Sequence, residues 1–299
     1  MRLNEGGAPY QCDAEGQVYR LTVIATQPDG TVTRLARDGS TMVFRASEAE
    51  GFPLAYAPAN PGLVLLWSAA HDPDPISHDP ISHQPIYHYP IYHFDGHGNT
   101  LTQHAVSLDF RPNTMAVTSS GKTVVVGYLV RPPIKRETLQ WVAAILDGDD
   151  KVVQRFDLPS IPGVDHLEPG LMVGGDGTVN LLLKVMNKPF YAVATITEPG
   201  QVEIKMLSVP ADGNDPWHGP LLFGPGVVVD GYLRVGMRPL VYEFDEYDLS
   251  SGKKLRTRTV QSSTIFAIPC YLGDEIVALA SHEDGGGLQS VHRLTVRLK

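Results

Sequence analysis

The stretch Trp141–Pro159 reads WVAAILDGDDKVVQRFDLP, in which two strand-like runs flank a short polar turn that contains Gly148. Two such runs around a glycine-bearing turn predict a β-hairpin. The same arrangement recurs at Tyr191–Pro210 (YAVATITEPGQVEIKMLSVP) and at Tyr242–Val260 (YEFDEYDLSSGKKLRTRTV). Because one hairpin pattern recurs along the chain, we expect an architecture of stacked repeats.

The spacing of the turn glycines indicates the length of the repeat. Four of them follow one another at intervals of 52 residues: Gly96, Gly148, Gly200 and Gly252. A second set of apolar runs lies about half a period earlier, as in TVVVGYLV, TVNLLLKV and VVVDGYLRV. A unit of roughly 50 residues with four short strands has the size of one propeller blade. The sequence therefore predicts a single all-β domain, a β-propeller with four-stranded antiparallel blades.

The predicted blades span about residues 8–46, 51–108, 113–159, 165–209, 217–260 and 264–299. The last unit supplies only three strands, and we expect residues 1–5 to supply its fourth. That pairing would close the ring by placing both ends of the chain in one blade. The count is six blades, with five or seven left open because the first and last units are the most degenerate.

A resemblance to a known group supports this count. The segment Pro112–Leu129, with its pattern P-x-x-M-A-V-x-x-S-G-K-T-V-V-V-G-Y-L, and the following hairpin that ends F-D-L-P resemble six-bladed bacterial propellers of the NHL-like and gluconolactonase-like type. The resemblance covers most of the chain and implies the propeller fold.

For the gluconolactonase-like branch, the resemblance also implies a divalent cation, calcium or zinc, at the mouth of the central channel. The cation would act as a Lewis acid on a lactone or ester. By position, Glu168 and Asn113 resemble its ligands, and His166 or His218 would be the bases. The other inner strands bring no acidic ligand. An alternative interpretation of the four residues just named is therefore that they are ordinary polar groups that cap strand ends.

Composition excludes several other classes of protein. Lys and Arg number 24 against 33 Asp and Glu, so the net charge of −9 gives no general basis for binding nucleic acid or anionic membranes. No apolar run reaches the 18 residues of a membrane span. Motifs of serine hydrolases, phosphate-binding loops and haem attachment do not occur.

Propeller geometry places the longer connections, b–c and d–a, on one face, which we call the loop-rich face. Binding residues in β scaffolds are usually found on such loops. Basic side chains recur there and predict a positive patch for an acidic glycan, a carboxylate or an acidic protein, although ordinary solvated charges would look the same. The candidate ligand-face residues are Arg131, Arg136, Lys184, Lys188, Arg234, Arg238 and Trp217.

The b–c loop of the second unit is a tandem repeat. From Pro75 to Phe94 it reads PISHD, PISHQ, PIYHY and PIYHF. A proline at every fifth residue excludes a helix, and we expect it to interrupt regular sheet pairing. Three interpretations stay open: a tolerated duplication on the surface, a Tyr/Ile contact ribbon for a partner or a second copy, or a transition-metal site. The metal ligands would be His78, His83, His88 and His93.

The two cysteines occupy similar places in different units. Cys12 lies in the inner strand of the first unit and Cys270 in that of the last, and these units become neighbours only when the ring closes. A disulfide there would contribute on the order of 4–5 kcal/mol in the chain-entropy model. Two buried free thiols are the alternative.

These observations favour a non-enzymatic propeller, a binding or structural, self-assembling module with a protein or glycan partner or with itself. The competing hypothesis is a metal-dependent, lactonase- or esterase-like hydrolase. The low lysine content and the cysteine pair favour an extracytoplasmic protein whose signal peptide lies outside this sequence, whereas Met1 favours the opposite.

Overall fold

Six antiparallel sheets follow one another along the chain in a computed structural model, and each sheet is formed by consecutive strands. The structure describes residues 10–22, 31–46, 51–69, 77–78, 85–129, 140–160, 167–185, 191–207, 222–234, 239–264, 266–283 and 289–299. Within these ranges the regular structure is entirely β-strand, and no helix is long and apolar enough to cross a membrane.

The sheets are numbered as blades 1 to 6 in chain order. Blade 1 has strands β1 (Tyr10–Cys12), β2 (Val18–Thr22), β3 (Thr31–Leu35) and β4 (Thr41–Phe44). Blade 2 has β5 (Gly51–Ala59), β6 (Gly62–Ala69), β7 (Ser77–His78), β8 (Pro85–Phe94) and β9 (Thr100–Leu108). Blade 3 has β10 (Arg111–Val117), β11 (Thr123–Tyr128), β12 (Trp141–Leu146) and β13 (Val152–Asp157).

The second half of the chain repeats the pattern. Blade 4 has β14 (Leu167–Gly174), β15 (Thr178–Val185), β16 (Tyr191–Thr197) and β17 (Val202–Leu207). Blade 5 has β18 (Leu222–Gly224), β19 (Val227–Arg234), β20 (Leu240–Asp248) and β21 (Lys254–Ser262). Blade 6 has β22 (Ala267–Tyr271), β23 (Glu275–Glu283) and β24 (Gln289–Arg297). Its expected fourth strand, residues 1–5, lies outside the described residues.

The first strands of neighbouring blades contact one another at five junctions: β1 with β5, β5 with β10, β10 with β14, β18 with β22, and β22 with β1. They are therefore the inner strands, and the ring is closed between blades 6 and 1. Each of the six junctions between neighbouring blades contains its own apolar cluster. At the junction of blades 2 and 3, for example, Leu66 and Ile91 pack with Met115 and Val142, all of them fully buried. The predicted six-bladed propeller is confirmed.

Close packing of the inner strands makes one glycine a sharp test of this arrangement. A Cβ at Gly174 in β14 would lie 1.7 Å from the carbonyl oxygen of Val117 in β10 of the neighbouring blade. We expect Gly174→Ala to lower the free energy of unfolding by about 2 kcal/mol or more, because backbone atoms cannot move aside. Urea unfolding measures this. The control Gly148→Ala, where a Cβ would meet nothing within 4 Å, should change stability little. Equal effects of the two substitutions would contradict the packing.

Candidate functional site

The two faces of the ring differ in their connections. The a–b and c–d turns lie on one face, the turn face, and are two to five residues long. On the loop-rich face, the connections reach twelve residues between β11 and β12 and fourteen between β17 and β18. The longest connections, and with them most of the side chains outside strands, thus belong to the loop-rich face.

Polar contacts between neighbouring blades recur at the turn face. Between blades 3 and 4, Glu198 accepts hydrogen bonds from Thr118 (3.2 Å), Ser120 and Lys122 (2.9 Å). These bonds hold the pKa of Glu198 below its usual value, the Ser120 bond most strongly, then that of Lys122. The contact joins the c–d turn of one blade to the a–b turn of the preceding blade.

Further junctions have polar contacts in which one partner lies in a turn of this face. Arg34 of blade 1 donates to the Gly96 carbonyl of blade 2 at 2.9 Å. Arg258 of blade 5 donates to Asp274 of blade 6 at 2.7 Å, and the carboxylate of Glu275 lies 3.6 Å from Arg37 of blade 1. With the Asp150 cluster described below, polar contacts between described residues occur at this face in five of the six junctions.

Two of the predicted ligand-face cations lie among the described residues, and they differ. Lys184, near the end of β15, is exposed. Arg234 is bound within its own blade: its Nε lies 2.6 Å from Glu243 Oε1 and its Nη2 2.9 Å from Oε2. Tyr232 donates to the same carboxylate at 2.6 Å. Arg234 is therefore neutralised locally and is a weaker candidate for a ligand contact than Lys184.

Only part of the predicted metal site at the channel mouth lies among the described residues. Glu168 is the second residue of β14, in register with Lys184, and its side chain is not described. Asn113 lies in β10 at an irregularity of pairing between Pro112 and Thr114, and is half-buried. Other predicted site residues lie outside the described residues: His83, Arg131, Arg136, His166, Lys188, Trp217, His218 and Arg238. The metal-assisted reaction stays a prediction.

The last two copies of the Pro-Ile-Ser/Tyr-His repeat form one continuous strand, β8. It pairs with β9 along its length, from Tyr87–Leu108 to Phe94–Thr100. The expectation that the prolines interrupt regular pairing is therefore wrong for the edge of β8 that faces β9, and it holds for the edge that faces β6. Pairing with β6 on the other side ends at Ile91, next to Pro90. Because proline lacks an N–H donor, it is tolerated where one edge of the strand is unpaired.

A five-residue repeat in a strand separates its own histidines. Side chains alternate between the two faces of a sheet, so His88 and His93 point in opposite directions. The ring of His88 contacts Ser107 at 2.8 Å, whereas His93 contacts blade 3. His78 is described only as a backbone position in β7. Within the described ranges, no group of three or more His, Cys, Asp or Glu side chains could hold a metal ion.

His93 belongs instead to a cluster with Asp150 and His104. His93 Nε2 lies 3.0 and 2.9 Å from the two carboxylate oxygens of Asp150, and His104 Nδ1 lies 2.7 Å from one of them. The two histidines come from β8 and β9 of blade 2, and Asp150 comes from the c–d turn of blade 3. The side chain of Asp150 is only 1% exposed. One buried carboxylate thus accepts hydrogen bonds from two imidazole rings of the neighbouring blade.

Asp150 occupies a backbone position where the other turns have glycine. Its φ is +61°, and the corresponding residues of blades 2, 4 and 5 are Gly98, Gly200 and Gly252. The glycines predicted as equivalent are therefore displaced by two residues in blades 2 and 3. Left-handed backbone is unfavourable for a residue with a Cβ. Burial would raise the pKa of Asp150, but the hydrogen bonds from His93 and His104 outweigh it and lower that pKa.

Sequence reasoning missed Asp150 and His104 as site residues. They are 46 positions apart, so no local motif connects them. The 52-residue interval gives no signal for Asp150, because it aligns Gly148 with Gly200 and Gly252. Only the positive φ of Asp150 in the structure shows that it takes the place of those glycines.

At the closure of the ring, Cys12 and Cys270 form a disulfide. Their Cα atoms are 5.8 Å apart, inside the usual range for a disulfide. The sequence separation is 258 residues, and the bond joins inner strands of blades 1 and 6. Cys270 is also part of the apolar cluster of this junction.

No protein-family model matches this chain, and no curated protein matches it. Solved structures do. The subtype N11 neuraminidase-like protein of A/flat-faced bat/Peru/033/2010 (H18N11) is 12% identical and aligns over 96% of this chain and 85% of its own, with a TM-score of 0.55. The chain is a six-bladed β-propeller. The propeller domain of the trilobed protease from Pyrococcus furiosus, described as having an open velcro topology, aligns over 96% and 93% at 10% identity, with a TM-score of 0.51. At these identities the likeness concerns the fold alone.

Proposed function

We propose that this propeller is a binding module that holds its partner on the loop-rich face. The observation that carries the proposal is the contrast between the two faces. At the turn face the connections are short, and described residues make a polar contact between blades at five of the six junctions. Contacts between blades fix the positions of the strands from which the longer connections of the other face start, and binding residues in β scaffolds are usually found on such connections.

The chemistry of the loop-rich face favours an acidic partner. Lys184 is exposed there, and the sequence places Arg131 and Lys188 in connections of the same face. On a chain with a net charge of −9, a local group of cations would attract carboxylates or sulfates selectively. We therefore propose a ligand rich in such groups, carried by a glycan or by a protein surface.

A charge-removal variant tests this proposal. We expect Arg131→Ser/Lys184→Ser/Lys188→Ser to bind acidic oligosaccharides or acidic peptides at least tenfold more weakly than the unmodified chain. The reason is loss of Coulomb attraction, and binding should also weaken with added salt. Binding to an array of uronate-containing and sulfated oligosaccharides and acidic peptides, followed by titration calorimetry on the best ligand, measures it.

The matched control removes the same charge from the turn face, in Lys151→Ser/Lys253→Ser/Arg297→Ser, three exposed residues. This control should retain the affinity. Equal loss in both variants would show a non-specific charge effect, and no binding to any member of the array would overturn the proposed ligand class.

A further inference from the structure

Blade 5 buries acidic side chains on the face that it turns towards blade 4. Val228 in β19 and Tyr247 in β20 are paired, and both belong to an apolar cluster that includes Leu182 of blade 4. Residues two positions apart in a strand share a face. Asp230 and Asp245, which are paired with each other two positions away in each strand, therefore face blade 4 as well. Each of these aspartates is only 5% exposed.

The two carboxylates occupy directly opposite positions, where like charges repel each other. Strand β21 offsets part of the charge of Asp245, because Lys254 Nζ lies 2.6 Å from Oδ2 and Thr257 donates to Oδ1 at 2.6 Å. A carboxylate has about four lone-pair sites, so these contacts leave acceptor sites on Asp245. A further positive charge next to the two aspartates would therefore be stabilised.

The hydroxyl of Tyr247 lies beside this pair of aspartates. Its side chain is fully buried, and within the described ranges the phenolic oxygen has no hydrogen-bond partner. Burial raises the pKa of Tyr247, and the charges of Asp245 and Asp230 raise it further, so the hydroxyl is within electrostatic range of both carboxylates. A buried polar group without a partner is unfavourable, and a bound ion or water is the usual way to satisfy it.

Blade 4 brings a second phenol towards the same place. Tyr191 begins β16 and packs against the apolar cluster of this junction. Burial raises the pKa of Tyr191, and the charge of Asp230 raises it further. Among the described residues, the other five junctions have a polar contact at the turn face and this one does not. A ligand held between Tyr191 and Asp230 would supply a polar link between blades 4 and 5.

We propose that Asp230, Asp245 and the hydroxyl of Tyr247 form a site for a divalent cation of the size of Ca²⁺. All three ligands offer oxygen, which calcium and magnesium prefer. Calcium accepts about six to eight ligands in flexible geometry, whereas magnesium requires a near-regular octahedron, and the irregular junction of two sheets suits calcium. The third ligand is a phenol, so the site is not one of the groups of three or more His, Cys, Asp or Glu side chains, which the described residues lack. Because Lys254 already offsets part of the charge, we expect a dissociation constant on the order of 10⁻⁴ M.

This proposal does not depend on the proposed function, because the site lies between two blades and not on the loop-rich face. Titration calorimetry and thermal unfolding of the chelator-treated full chain test it. We expect one calcium ion per chain, and a melting temperature about 5 °C higher in CaCl₂ at roughly a hundred times the dissociation constant. MgCl₂ at the same concentration should have a much smaller effect. No heat and no shift with calcium, as expected if water satisfies Tyr247, would overturn the proposal, and so would an equal shift with magnesium.

Carboxylate substitutions locate the ion. Asp230→Asn should weaken calcium binding by about tenfold or more, because it removes a charged ligand. The control Asp149→Asn, at a turn-face aspartate whose side chain is 75% exposed, should leave the affinity unchanged. Calcium binding that Asp230→Asn leaves intact and Glu168→Gln abolishes would place the ion at the channel mouth and overturn the proposal.

Substitution of Tyr247 provides a test with two opposite effects. Tyr247→Phe should raise the melting temperature of the calcium-free chain, because it removes a buried hydroxyl that has no partner among the described residues. The same substitution should weaken calcium binding by about tenfold, because it removes a ligand. Phenylalanine keeps the packing of the ring, so this measurement decides the matter even where Asp230→Asn does not fold. Unchanged calcium affinity in Tyr247→Phe would overturn the proposed site.

Discussion

Removal of the disulfide, in Cys12→Ser/Cys270→Ser, is expected to lower the free energy of unfolding by about 4–5 kcal/mol. The bond closes a loop that includes nearly the whole chain, so its loss frees the largest number of unfolded conformations. It also joins blades 6 and 1, and the buried apolar cluster at this junction has four members among the described residues: Val18, Cys270, Val277 and Leu279. Guanidinium unfolding of the two proteins at equal pH measures the difference.

Reductant supplies the control for this prediction. Dithiothreitol should destabilise the unmodified chain by a similar amount and should leave the double variant unchanged. Hydrogen exchange should increase first in β1 and β22, because these are the strands that the disulfide joins. A double variant within about 1 kcal/mol of the unmodified chain would show that packing alone closes the ring.

Substitution of Asp150 by Asn should lower the free energy of unfolding by about 2–3 kcal/mol at pH 7. The carboxylate accepts from His93 and from His104 and is itself almost completely buried. An amide offers one oxygen where the carboxylate offers two, and its hydrogen bonds are weaker because it carries no charge. Asn tolerates left-handed backbone about as well as Asp, so the comparison isolates the hydrogen bonds. Urea unfolding at a series of pH values measures the effect.

The pH dependence has a definite sign. The pKa of Asp150 in the folded protein is lowered, so its contribution is fully present above the unfolded pKa of about 3.9 and is lost as the pH falls through the folded value. The difference between the unmodified chain and Asp150→Asn should therefore persist from pH 7 to about 5 and disappear in stronger acid. The neighbouring Asp149, whose side chain is 75% exposed, provides the control. Asp149→Asn should change stability by less than about 0.5 kcal/mol. A stability difference for Asp150→Asn that is independent of pH down to 2 would contradict the assignment.

The blades could be predicted because their signals are local. Alternating residues and a turn that needs positive φ occur within about twenty residues, so WVAAILDGDDKVVQRFDLP already contains one complete hairpin. The 52-residue interval between Gly148, Gly200 and Gly252 then indicates how many such units follow. The sequence did not show that β8 can pair regularly across its prolines. A proline removes one backbone N–H donor and so affects one edge of the strand, and the other edge of β8 still pairs with β9.

The sequence by itself determined the all-β architecture, the repeat length and the division into a turn face and a loop-rich face. It predicted six blades but left five or seven open, and the six sheets of the structure decided the count. Only the tertiary structure decided which side chains meet across blades. His93 and Asp150 are 57 positions apart and Cys12 and Cys270 are 258 apart, and each pair is brought together by the stacking of whole sheets around a ring. Strand periodicity specifies which face of a blade a residue occupies, but contacts between blades depend on the height and rotation at which neighbouring sheets pack. That packing is a property of the closed ring and is absent from any single repeat.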